Sequence, residues 1–237
     1  MSKHTDFILS PITYILQDVV AANKGIGNGI ETYPLSEYIM QSAFLKMTGA
    51  QEQKMKCICW ELATEDYEYR YLRFTQNKLG ECSTYEEKKQ IYRDLLDLIK
   101  KIEPNFELGA ELDRHTIAAD TMSTIKEVFS NSNLSTWAEQ AYFEFVNNPG
   151  IIPPNQFATI THLFESVLLE RYKLLYKHRN RSAHNTLSYQ ENLPTLKTLL
   201  EVNHQYDNYF VRFALLILID KIFIELYQKY LAILDES

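Results

Sequence analysis

One long apolar stretch near the end of the sequence limits how this chain can fold. It runs from Val211 to Leu234 and is interrupted by charged residues, which include Arg212, Asp220 and Glu225. A membrane span would tolerate those charges poorly, because each is costly to place in lipid hydrocarbon. We therefore interpret the stretch as a helix covered either by the protein core or by a second copy of the chain, and we expect no membrane contact.

The rest of the sequence shows helical periodicity and lacks a convincing hairpin signal. We predict an all-α fold, a helical bundle in which Pro11 bends or restarts the first helix. Ser83 and Thr84, followed by Glu86 and Glu87, are typical of a capped helix start with an acidic first turn. The predicted helices span roughly residues 5–23, 34–66, 84–102, 113–129, 134–147, 156–178, 193–205 and 209–234.

The strongest loop in the sequence is NNPGIIPPN, from Asn147 to Asn155. We assign residues 1–112 to a helical N-terminal region without an assignable role, and residues 113–237 to a second helical domain. A single all-helical unit remains the alternative, since the sequence shows neither an internal repeat nor a low-complexity tail.

The three cysteines are Cys57, Cys59 and Cys82. An odd count without a signal peptide fits a reducing compartment, so we expect a cytoplasmic protein. No second pair of ligands lies at metal-binding spacing from Cys57 and Cys59, so we interpret both as helix residues and expect no metal and no cofactor.

The densest cationic cluster of this acidic chain lies in YKHRNRSAHNT, from Tyr176 to Thr186. The net charge is −7, which argues against nucleic-acid binding over the whole surface but allows a local basic site. An ordinary helix C-terminus, where cations are favoured, explains the same pattern without any chemistry. The positive side chains from residue 171 to 181, with no acid among them, are Arg171, Lys173, Lys177, Arg179 and Arg181.

Arg179 and His184 are residue types that suit a phosphodiester. The Arg guanidinium matches phosphate oxygens and stays charged, and a His can accept and return protons at neutral pH. Asn180 can orient the imidazole or the substrate. In a continuous helix, however, Arg179 and His184 diverge by about 140°. For the pair to act together, the helix must end between them or a second copy must contribute.

The segment Arg179-Asn180-Arg181-Ser182-Ala183-His184 resembles the signature of the HEPN superfamily. That signature is an Arg followed, after about four to six residues, by a His, often with a polar residue directly after the Arg. It lies late in an all-helical domain, as here. The resemblance covers roughly residues 155–234, or 113–234 in a wider reading, and leaves residues 1–112 as additional helices.

The resemblance implies a metal-independent endoribonuclease, because many HEPN proteins cleave RNA in toxin–antitoxin, phage-defence and CRISPR systems. It makes Arg179 and His184 the catalytic pair and Asn180 their supporting polar residue. It also implies a homodimer with both motifs in one cleft, RNA as substrate, and an antitoxin or other protein as a further partner. The neighbouring side chains that we expect to bind the substrate are Arg181, Lys177, His178 and Lys173.

Two other functions stay open at this point. Some HEPN modules are not catalytic and bind RNA, a nucleotide or a protein partner. A helical scaffold is the third possibility, in which His184 is buried and bonded internally with no cleft beside Arg179. We interpret His115 and His162 as ordinary helix residues.

Overall fold

The computed structural model describes residues 2–27, 29–184 and 206–236, and over these residues the chain is helical without a β-strand. The predicted all-α fold is confirmed. The helices are α1 (Lys3–Leu9), α2 (Thr13–Ala22), α3 (Tyr33–Glu65), α4 (Tyr67–Tyr71), α5 (Tyr85–Ile102), α6 (Leu108–Glu111), α7 (Arg114–Phe129), α8 (Asn133–Trp137), α9 (Glu139–Asn147), α10 (Ser166–His184) and α11 (Tyr209–Glu236).

The apolar stretch forms α11, and the rest of the described chain packs around it. Helices α1, α3, α5, α7, α9 and α10 all contact α11, so the predicted regions 1–112 and 113–237 share one core. Residues from Phe213 to Ile219 are completely or almost completely buried within a single chain. The apolar face of α11 therefore gives no reason by itself to expect a dimer. Among the described residues, none of the helices combines the length and the hydropathy that a bilayer span requires.

Pro11 separates α1 from α2, as the sequence allowed, and the polar groups at the break are bound by a buried ion pair. Lys54 of α3 and Asp220 of α11 lie 2.6 Å apart with only 3% of each side chain exposed. Lys54 also donates to the Ser10 carbonyl, and the Ile12 N–H donates to Asp220 Oδ2 at 2.9 Å. Burial lowers the pKa of Lys54 and raises the pKa of Asp220, and their mutual attraction opposes both shifts.

Side-chain caps set the starts of several helices where the sequence predicted them. The Thr84 hydroxyl accepts from the Glu87 N–H, and the Glu87 carboxylate accepts from the Thr84 N–H, which completes a capping box before α5. Asp113 accepts hydrogen bonds from two backbone N–H groups at the start of α7. Both helices therefore begin within a residue of their predicted starts.

Other predicted boundaries differ from the structure. The helix predicted over residues 156–178 begins only at Ser166, because residues 157–164 form a loop closed by an isolated bridge between Phe157 and Phe164. The Tyr85 hydroxyl secures this loop by donating to the Phe164 carbonyl at 2.7 Å. The helix predicted over residues 134–147 is divided at Ala138. The helix predicted over residues 193–205 lies outside the described residues.

Replacing Asp220 with alanine leaves the buried Lys54 ammonium without its counter-charge and the Ile12 N–H without an acceptor. We expect Asp220→Ala to lower the free energy of unfolding by about 3–5 kcal/mol, because an unpaired buried charge is strongly destabilising. Urea denaturation followed by far-UV circular dichroism measures the change.

The matched control is Lys173→Ala, which breaks an exposed ion pair with Glu170 and should change stability by less than about 0.5 kcal/mol. Removing both buried charges together, as in Lys54→Met with Asp220→Leu, should cost less than Asp220→Ala alone. If the Lys54→Met/Asp220→Leu variant were at least as unstable as Asp220→Ala, the unpaired charge of Lys54 would not be the cause of the destabilisation.

Candidate functional site

Helix α10 continues without a break through the Arg179–His184 motif. It ends at His184, so it does not end between the two motif residues. Around the helix axis, the backbone positions of Arg179 and His184 are therefore about 140° apart, whereas His184 lies about 20° from Lys177. The side chain of His184 is outside the described part of the structure.

Arg179 is held by a carboxylate from a distant part of the chain. Its Nη2 donates to Glu52 Oε1 at 2.9 Å and to Oε2 at 3.3 Å, and Glu52 lies on α3. Its Nη1 donates to the Oδ1 of Asn180 at 3.3 Å. The Arg179 side chain keeps 21% of its surface exposed. The guanidinium is thus fixed in direction by two acceptors, while part of the Arg179 side chain still faces solvent.

A buried cation, Lys88, lies close to this pair. Lys88 of α5 donates to the carbonyls of Cys82 and Ser83, at 2.7 and 3.0 Å. Burial lowers the pKa of Lys88 to about 8; nearby Glu52 opposes this shift and nearby Arg179 adds to it. Helices α3, α5 and α10 therefore bring one carboxylate and two cations together.

The other cations of the predicted patch differ in their surroundings. Lys177 and Lys173 are exposed on α10, and Lys173 pairs with Glu170 at 2.7 Å. Arg181 is half-buried. Arg171 is buried: its guanidinium donates to the carbonyls of Gly150 and Ile151, just after α9, and stacks 4.0 Å from the centre of the Tyr206 ring. Arg171 therefore secures a loop, whereas Lys173 and Lys177 are open to a ligand.

His178, predicted to contact substrate, packs between two aromatic rings. Its ring centre lies 5.3 Å from that of Phe44 and 5.4 Å from that of Tyr209. Burial, reinforced by the nearby Arg212 cation, lowers the pKa of His178 to about 3. This imidazole is therefore neutral at physiological pH and serves the packing of α10 against α3 and α11.

The remaining two candidate histidines make local contacts. His115 is exposed in the first turn of α7, where its backbone N–H is capped by Asp113. His162 lies in the loop before α10, 3.5 Å from the Glu165 carboxylate. His162 therefore is not a helix residue as predicted. Among the described residues no group of His, Cys, Asp and Glu is arranged to hold a metal ion.

Glu52 and Lys88 are the site residues that the sequence did not reveal. Glu52 lies between Gln51 and Lys54, two polar residues on the largely apolar buried face of α3. Both serve the contact with α11, since the Gln51 side chain donates to the Leu216 carbonyl at 3.0 Å. The sequence feature that could have pointed to Glu52 is the run of polar residues 51–54 inside a core helix. That run does not identify Arg179 as the partner of Glu52.

We expect the stability of the wild-type protein to fall faster with acid than that of His178→Phe. The lowered folded pKa means that His178 contributes stability above about pH 6.5, and that this contribution is lost as the pH falls toward 3. At about pH 4.5 the wild type should have lost about 1–2 kcal/mol relative to the variant, allowing for solvent screening of a partly exposed ring. Urea denaturation at several pH values measures this difference, and parallel stability curves would contradict a neutral, packed His178.

The likeness to the HEPN superfamily depends on the motif from Arg179 to His184 and on its position in an all-helical chain. The protein-family models that were searched, the curated proteins and the solved structures contain no match to this sequence or fold.

Proposed function

We propose that this chain is a metal-independent endoribonuclease of the HEPN type, acting in a defence or toxin–antitoxin setting. The observation that supports this proposal is the Arg179 guanidinium, which Glu52 and Asn180 orient at the end of α10. An arginine carries five N–H donors, and Glu52 and Asn180 accept three hydrogen bonds from the two terminal nitrogens of Arg179. Donors are therefore left for phosphate oxygens while Glu52 stays in place.

The proposed reaction uses the RNA itself as nucleophile. The 2′-hydroxyl attacks the adjacent phosphorus, the bond to the 5′-oxygen breaks, and the products are a 2′,3′-cyclic phosphate and a 5′-hydroxyl. His184 takes the proton from the 2′-hydroxyl or delivers one to the leaving oxygen. Arg179 stabilises the negative charge that builds on the phosphate oxygens. Lys173 and Lys177 bind phosphates of the flanking strand.

Two copies of the chain form the site in this proposal. Arg179 and His184 lie on different sides of one continuous helix, so a single copy does not direct both toward one phosphate. A two-fold dimer that pairs α10 with α10 brings Arg179 of each copy toward His184 of the other. The exposed Lys173 and Lys177 then border the cleft between the copies.

A non-catalytic module that binds RNA, a nucleotide or a protein is the second candidate. The Glu52 carboxylate favours it, because a guanidinium already paired at 2.9 Å is less available to stabilise charge in a transition state, whereas the exposed Lys173 and Lys177 can still attract an anion. In this alternative the cations of α10 attract an anionic partner, and no bond is broken.

We expect the purified protein to cleave single-stranded RNA in the presence of EDTA. Arg179→Ala and His184→Ala should each lower the cleavage rate at least about a hundredfold, because each removes a group that acts in the transition state. Gel analysis of labelled RNA, with mapping of the cyclic phosphate ends, measures both the rate and the chemistry.

Matched controls are Arg70→Ala and His115→Ala, which remove exposed residues of the same types on α4 and α7. Both should retain wild-type cleavage. Cleavage that needs added magnesium, or that persists in His184→Ala, would overturn the mechanism. RNA binding without cleavage by the wild type would favour the non-catalytic module.

Mixing the two inactive variants tests whether the site is shared. If Arg179 of one copy acts with His184 of the other, an Arg179→Ala/His184→Ala heterodimer contains one intact site. Random pairing should then restore about a quarter of the wild-type activity. Co-expression with two different affinity tags, followed by the same cleavage assay, measures the recovery.

No recovery from purified heterodimers would show that each site belongs to one chain. Light scattering of the wild type supplies the independent check on assembly. A monomer at micromolar concentration that still cleaves RNA would exclude the shared site.

A further inference from the structure

Two of the three cysteines, far apart in sequence, meet in the folded protein. Cys59 lies on α3, and Cys82 lies in the loop that precedes α5. Their side chains are close enough to affect each other's pKa, and the Cys82 thiol donates to the Gly80 carbonyl at 3.9 Å. Both residues are buried, with 5% and 2% of their surface exposed. The third cysteine, Cys57, is half-buried elsewhere on α3 and serves as an internal comparison.

The thiol pair can be reached from solvent through a cavity. Cys59 and Cys82 both line a space of about 320 Å³ between α3 and the segment from Arg73 to Cys82. Trp60 and Phe74 line the same space and are 55% and 43% exposed, so the cavity extends to the surface. A small reagent can therefore approach the sulfurs without unfolding the core.

The cavity carries positive charge, which selects the kind of reagent. Its lining includes Lys56, Arg73 and Lys78, and no acidic residue lines it. Lys56 pairs with Glu81, and Arg73 pairs with the Asp94 carboxylate at 2.6 Å. Lys78 has no partner among the described residues, so it leaves an uncompensated cation beside the thiols. An anionic reagent is therefore favoured over a neutral or cationic one.

The backbone around Cys82 is held in place from two sides. Cys82 has a φ of 58°, a left-handed conformation that residues other than glycine adopt rarely and that surrounding contacts must enforce. The buried Lys88 ammonium enforces it by donating to the carbonyls of Cys82 and Ser83. The Cys82 side chain is thereby held at the wall of the cavity that Cys59 also lines.

Cys82 is the more acidic thiol of the pair. Interaction with the Cys59 thiol lowers the pKa of Cys82, with help from Lys88 and Lys56 and against the effects of burial and of the Glu87 carboxylate. The same interaction, together with burial, raises the pKa of Cys59. A thiolate is the attacking species in thiol–disulfide exchange, so Cys82 is expected to react first.

We propose that Cys59 and Cys82 are a site of reversible oxidation, which an anionic low-molecular-weight disulfide such as glutathione disulfide converts into an intramolecular disulfide. The Cys82 thiolate attacks one sulfur of the reagent, forms a mixed disulfide and releases one glutathione thiolate, which takes up a proton. Cys59 then loses its proton and attacks the Cys82 sulfur, which releases the second glutathione. Two protein thiols are oxidised and one glutathione disulfide is reduced to two thiols, so atoms and electrons balance.

The bond ties the segment from Arg73 to Cys82 to α3. That segment contributes the carbonyl group that binds Lys88, which lies near Glu52 and Arg179. The oxidised and reduced forms therefore differ in how firmly this side of the candidate site is attached. The proposal itself rests on the thiols and the cavity, and it holds whether or not the chain cleaves RNA.

The test is to incubate the folded wild-type protein with glutathione disulfide at about pH 7.5 and to count free thiols after denaturation in acid. We expect the count to fall from three to one, with peptide mapping showing Cys59 joined to Cys82 and Cys57 free. Dithiothreitol should restore all three. Cys57→Ser is the matched control, and its thiols should disappear at the wild-type rate.

A second variant traps the first step of the reaction. Cys59→Ser removes the resolving thiol, so the Cys82 mixed disulfide with glutathione should accumulate at least about tenfold faster than modification of Cys57. Three free thiols after prolonged incubation of the wild type, or a bond that includes Cys57, would overturn the proposal. The wild-type mapping needs no substitution, so a variant that folds poorly does not weaken this outcome.

Discussion

The buried contact between Lys54 and Asp220 is the interaction on which the rest of the structure depends. Two charges are removed from water, and this cost is offset only because each also binds a backbone group released at Pro11. The contact therefore fixes three elements at once: the corner between α1 and α2, the register of α3, and the register of α11. Gln51 adds a second bond to α11 one turn earlier.

The same register decides where Glu52 lies. Glu52 is next to Gln51 on α3, so once Gln51 and Lys54 face α11, Glu52 is directed to a neighbouring side, where α10 passes. Its carboxylate then receives the Arg179 guanidinium and restricts a long side chain that would otherwise sample many rotamers. A guanidinium that is already ordered loses less entropy when a phosphate arrives, which is the benefit of positioning in both catalysis and binding.

The sequence predicted the parts of this protein that depend on local chemistry. Helical periodicity gave the fold class, the start of α5 followed from the cap residue Thr84, and α7 begins within one residue of its predicted start. Long-range contacts were not available from one sequence. The loop before α10 depends on the distant Tyr85 hydroxyl, and Arg179 is oriented by Glu52 from another helix. The covering of α11 within one chain also follows from the tertiary arrangement rather than from its apolar pattern.

The central position of α11 has a consequence for the order in which the protein matures during translation. Helices α1 and α3 leave the ribosome early. Their bonding partners on α11 are synthesised much later, because Thr5 bonds to Tyr227 and Lys54 bonds to Asp220. At ordinary elongation rates this interval is roughly ten to thirty seconds. Through that time the apolar faces of the early helices stay open, which makes the nascent chain a natural client for chaperones.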